Sequence, residues 1–129
     1  SKKFKGKSRA AKVKAAHDYL VKHMQYDDRY YSPYYAFRKG KGLCMSYALA
    51  FQRLMQEMNV PCVYMKGRNH AWNMVKLKGY WYGVDVTWDD AGGGYEYFLK
   101  GSSGFKGHKL PKTKCFKRLR MAKYSYYYR

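Results

Sequence analysis

The apolar positions of this chain change period along its length. From Ser8 to Met24 they fall at helical spacing: Val13, Ala16, Leu20 and Met24 mark one stripe, and Ser8 stands where an N-cap belongs. Between Gln25 and Gly42 the period is lost. Tyrosines crowd around Pro33, Gly40 and Gly42, which predicts an irregular loop with at most one short helical turn. The helical period returns from Leu43 to Met58. Cys44, Ala48, Phe51, Met55 and Met58 form the stripe, and Leu43, Tyr47, Ala50 and Leu54 widen it. Only Gln52, Arg53, Gln56 and Glu57 make a polar face, so this helix is expected to be largely buried. Asn59 and Pro61 end it.

Three strands are expected next, over Val60–Gly67, His70–Leu77 and Tyr80–Trp88. A two-residue turn at Lys78–Gly79 pairs Leu77 with Tyr80, and hence Val75 with Tyr82, Trp72 with Asp85 and His70 with Thr87. His70 and Asp85 then share a face as diagonal neighbours, about 7 Å apart along the backbone and within side-chain reach. That face also carries Trp72, Met74, Trp81, Gly83 and Thr87. The opposite one carries Ala71, Val75, Leu77, Tyr82, Val84, Val86 and Trp88. Both are apolar, so the hairpin is expected to be covered on both sides. Beyond it, Asp89–Gly94 breaks the pattern and Tyr95–Lys100 reads as a further short strand. Residues 101–114 read as loop, and the last fifteen residues as an edge strand or a loose tail.

A carboxylate on a buried face is costly unless paired, and a neighbouring imidazole relieves the cost while fixing its own tautomer. Cys44 adds a third group. It opens the buried helix just after Gly40 and Gly42, where the helix dipole and an imidazolium both favour thiolate. Taken singly, a helix cysteine among apolar neighbours is usually an inert core residue, and a strand histidine near tryptophans is usually structural. Taken together, a cysteine nucleophile, a histidine base and an orienting aspartate are the equipment of acyl transfer through a thioester.

Charge changes the picture at the ends. The chain carries 27 Lys and Arg against 8 Asp and Glu, a formal net charge of +19. Seven basic residues and no acid lie in Ser1–Lys14, and ten basic residues and no acid in Tyr97–Arg129. Such ends suit a polyanion such as nucleic acid, an anionic wall polymer or acidic lipid, or they serve solubility alone. A non-catalytic polyanion-binding module is therefore the alternative from another functional class. The 129 residues suit a single domain, with a core at about 11–100, a basic arm at 1–10 and a basic, Tyr-rich segment at 101–129. No apolar run is long enough to span a membrane and no secretory leader is visible. A start at Ser1 suits a trimmed mature piece of a longer chain, for which an extracellular or cell-surface location is one option. Cys44, Cys62 and Cys115 are an odd number without metal-site spacing, so at least one thiol is free or paired with another molecule.

"GLCMSYALAFQRLMQEM", then "NHAWNMV", then "DVTWDD" stand in the order found in the transglutaminase-like domain, which this chain resembles over roughly Ala11–Lys100. The resemblance implies an α+β, papain-like fold with the cysteine helix packed on an antiparallel sheet. It implies Cys44 as nucleophile, His70 as base and Asp85 as third member, with protein or peptide amides as substrates. Transfer to an amine is the leading expectation, and thiol protease or deamidase the alternative. Two features depart from the animal transglutaminases. No tryptophan precedes Cys44 to support an oxyanion, which leaves the Cys44 N–H with Gln25 or a tyrosine of the Tyr30–Tyr35 cluster. With so few acids, no calcium site is expected, and no other metal or cofactor.

Overall fold

A computed structural model describes residues 8–30, 38–108 and 119–126. Helix α1 (Arg9–His23) starts as expected, with Ser8 Oγ accepting from the Ala11 N–H at 3.2 Å. It buries Ala10, Val13, Ala16, His17 and Leu20. The segment expected to be irregular instead holds a short parallel pair, β1 (Gln25–Tyr26) and β2 (Lys41–Gly42). Two-residue strands are too short to show alternation, so the pair is set by backbone bonds, Gln25 N to Gly40 O and Asp27 N to Gly42 O. Gly42 is needed for proximity: a Cβ there would stand 2.4 Å from that of Ser46, in the first turn of the next helix.

That helix, α2 (Cys44–Glu57), is the centre of the core. Tyr47, Phe51 and Met55 are wholly buried, each worth roughly 1.5–3 kcal/mol by area. Behind it lies a three-stranded antiparallel sheet in the order β3 (Cys62–Lys66), β4 (Ala71–Leu77), β5 (Tyr80–Val84). The β4–β5 register is the one the turn dictates, Leu77 opposite Tyr80 and Val75 opposite Tyr82. Lys78 and Gly79 both take positive φ (51° and 88°), the requirement of a type I′ turn. As expected, both faces are covered. Val75, Leu77 and Val84 pack towards α1 and α2, whereas Trp72 and Met74 meet Met65 and Phe105.

The third strand is shorter than its alternation predicts. It stops at Val84, and Val86–Gly92 forms helix α3. Asp85 caps it, Oδ1 accepting from Trp88 N–H at 3.1 Å, and Gly93 closes it at φ 76°. Cap chemistry outweighs four residues of alternation. The expected pairings Trp72–Asp85 and His70–Thr87 therefore fall beyond the ladder, and Thr87 is helical. Tyr95–Lys100 forms turns rather than a strand, and Lys100 pairs with Gly83 of β5 in an isolated bridge. Near the C-terminus, Met121 bridges Trp81, with Trp81 N–H to Arg120 O at 2.8 Å and Ala122 N–H to Trp81 O at 2.9 Å. This contact covers the edge of β5.

Among the described residues, no helix is long and apolar enough to cross a membrane. Cys115 and much of the two basic ends lie outside the described residues.

Candidate active site

Three junctions meet at one point. Cys44 is the first residue of α2, His70 immediately precedes β4, and Asp85 joins β5 to α3. The His70 carbonyl accepts from Gly67 N–H at 2.8 Å, which holds the turn before the strand. Its imidazole lies flat on Trp88, with ring centroids 4.6 Å apart and planes 17° apart. Nε2–H donates to Asp85 Oδ2 at 2.5 Å, a short, charge-assisted bond. The imidazole also acts on the neighbouring Cys44 thiol, with Nδ1 the ring nitrogen that Asp85 does not occupy. The three residues expected from the sequence are thus brought together. Asp85 arrives from a helix cap rather than from a strand.

The electrostatics follow from these contacts. The His70 imidazole lowers the Cys44 pKa. Burial opposes it, and the N–H groups of Ala71 and Met45 assist it. Burial pulls the His70 imidazole down, but Asp85 and the thiol outweigh it and raise the group to about 9. Asp85 is wholly buried, which favours its neutral form, yet donors from His108 and His70 hold it below the ordinary carboxylate value. Cys62 is the counter-example. Burial pushes its thiol up to about 12, as expected of an inert core cysteine.

His108 was not singled out by sequence reasoning, which took its surroundings as loop. Its Nε2 lies 2.6 Å from the same Asp85 Oδ2, and its Nδ1 donates to Lys106 O at 2.8 Å. No periodicity marks it. The only signal was a histidine in a segment rich in glycine, serine and lysine. The donor atoms of His70, Asp85 and His108 lie within 4.8 Å of one another, as a metal set would. The two N···O separations are nevertheless hydrogen-bond lengths, well short of the roughly 3.3 Å between two ligands on one tetrahedral zinc.

A cleft of about 660 Å³ opens over the cysteine and histidine, lined in part by Gln25, Tyr26, Asn69, Trp88 and Asp90. Gln25, one of the expected oxyanion candidates, therefore faces the same space as Cys44. Tyr31, Tyr34 and Tyr35 lie outside the described residues. Asp90 is held from below by the Tyr47 hydroxyl, which donates to Oδ2 at 2.6 Å. Asn73, buried on β4, donates to Ala48 O at 3.0 Å and ties the cysteine helix to the sheet.

Residues 1–86 match the model of the transglutaminase-like superfamily, a span that contains Cys44, His70 and Asp85. The chain belongs to that superfamily. The mouse kyphoscoliosis peptidase is 33% identical over a 101-residue alignment covering 60% of this chain and 15% of the mouse protein. This chain therefore corresponds to a small part of that relative's length. Two solved structures share the fold. One is a candidate cysteine protease from Cytophaga hutchinsonii, with TM-score 0.52, 23% identity, and 58% of this chain and 30% of that one covered. The other is a TGase, with TM-score 0.53, 22% identity, and 64% and 28% covered. The α+β, papain-like architecture expected from the sequence is the one these structures have.

Proposed function

We propose that the protein is a cysteine-dependent acyl-transfer enzyme acting on protein or peptide amides. The observation that carries this reading is the bonded His70–Asp85 pair, with His70 sharing an open cleft with Cys44 and acting on its thiol. The Cys44 thiolate attacks the amide carbonyl. The Cys44 N–H and Gln25, which lines the same cleft, are the groups we assign to the oxyanion. His70 gives its proton to the departing amine as the C–N bond breaks, leaving a thioester and a neutral imidazole. An amine or water then attacks the thioester and gives its proton to His70. The thiolate leaves, and the imidazolium–thiolate pair is restored. Asp85 keeps Nε2–H pointed at itself throughout, so Nδ1 faces the sulfur in both half-reactions.

The peptidase name of the mouse relative and the protease description of one solved structure favour a second reading, in which water is the acceptor and a backbone amide the donor. One experiment separates the two. A glutamine-containing protein is incubated with the enzyme and a labelled primary amine, then analysed by mass spectrometry, with Cys44→Ala as control. Incorporated label means transfer, a gain of about one dalton means deamidation, and cut backbone means proteolysis. No Cys44-dependent product of any kind would refute the proposal.

A further inference from the structure

His108 takes no part in the steps above, yet it shares an oxygen with His70. Both of its ring nitrogens face groups that only accept, the Lys106 carbonyl and the Asp85 carboxylate. A neutral imidazole has one N–H and makes only one of these bonds. The imidazolium makes both. Its side chain is 1% exposed, so water does not substitute for either partner. The ring is enclosed by aromatic groups. Phe105 stacks at 3.7 Å, Trp88 lies at 4.5 Å, Trp72 at 4.9 Å and Tyr97 at 5.5 Å between centroids. Aromatic faces suit a cation.

We propose that His108 is a positioning residue: a buried imidazolium that keeps Asp85 ionised and locks its orientation towards His70. The inference rests on the acyl-transfer reading. Asp85 then has no freedom left, because Oδ1 is fixed by Trp88 N–H while Oδ2 is held by two imidazoles. Around Asp85 the titratable groups are His70, reaching in from before β4, His108, and Cys44 of α2 acting through His70. Asp89, one turn further along α3, is held by His17. Tyr97 flanks His108. Without His108, a wholly buried carboxylate keeps one imidazole and one backbone N–H. It then takes up a proton at higher pH, and His70 loses the acceptor that sets its tautomer.

The test is the rate of Cys44 alkylation by iodoacetamide against pH in the wild type, His108→Phe and His108→Gln. Phenylalanine keeps the stacking and removes both hydrogen bonds. The acid limb of the profile should move up by about one pH unit, which slows labelling near pH 6 by about tenfold and leaves the rate near pH 8.5 within about twofold. Glutamine, which can still donate to Asp85, should recover part of the shift. An unmoved limb, or an equal loss at every pH, overturns the proposal, since a merely structural residue would act that way. Should His108→Phe fail to fold, the glutamine variant and the ¹⁵N shifts of the wild-type His108 ring decide. An unprotonated His108 nitrogen at pH 7 overturns it. If wild-type Cys44 does not label ahead of Cys62, the acyl-transfer reading itself fails. If it does and the limb stays put, only the role of His108 fails.

Discussion

Helix α3 presents two buried carboxylates one turn apart, and each meets a histidine. Asp89 takes His17 of α1, Nε2 to Oδ2 at 2.7 Å, and its other oxygen accepts from Tyr97 N–H. Asp85 takes His70. In the first cluster the second ring nitrogen meets Asp18 at 3.0 Å, and the histidine side chain is 2% exposed. In the second it meets a thiol, and the side chain is 17% exposed beside a cleft. The bond chemistry is nearly the same. The closed cluster joins elements 72 residues apart and serves as a strut. The open one has a polarisable, ionisable partner and room for a substrate. An imidazole–carboxylate pair therefore does not by itself mark a reactive site; what the far nitrogen touches decides it.

The sharpest way to break this comparison is to delete each histidine. His70→Ala should return Cys44 to an ordinary thiol, of which only about one part in a hundred is thiolate at pH 6.5, so alkylation there should fall by up to about 100-fold. The same assay on His17→Ala should change by less than about twofold. Stability should respond in the opposite order. Denaturant unfolding of His17→Ala should show a loss of about 3 kcal/mol, because the buried Asp89 loses a hydrogen-bond partner and a cavity opens between α1 and α3. Comparable labelling losses in both variants would erase the distinction.

A second, smaller effect is pH-dependent. The His70 pKa is raised from 6.5 to about 9 on folding. Its stabilising contribution is therefore fully present below pH 6.5 and is lost as pH rises through about 9. Unfolding curves between pH 6 and 10 should show that decline in the wild type and lack it in His70→Ala. The smallest effect belongs to the rim of the closed cluster. Lys14 and Asp18 are 2.8 Å apart but more than a third exposed, so Lys14→Met should cost under about 0.5 kcal/mol and leave labelling of Cys44 untouched.

The readable parts of this molecule were those fixed by local pattern. Lys78–Gly79 set the hairpin register, the Cys44–Met58 stripe set the buried helix, and Ser8 set the start of α1. The Asp85 cap was also readable in principle, from an acid three residues before Trp88 and a glycine just after the helix, but the alternation of Val84, Val86 and Trp88 pointed to a strand. The β1–β2 pair left no signature because its bonds are all backbone. His108 left none because its role depends on a chain crossing from beyond Lys100 back to the sheet, and no local spacing encodes that return. The His17 cluster was hidden differently. Its histidine sits on the apolar stripe of α1 and its aspartate in "TWDD", and only the packing of α1 against α3 joins them.

Asp85 divides its two oxygens between architecture and reactivity: one ends a helix, the other steers an imidazole. Loosening the first turn of α3 would therefore release the steering at the same moment. Gentle heating should silence the thiol before the rest of the protein melts, so that sulfur reactivity reports on the intactness of seven helical residues.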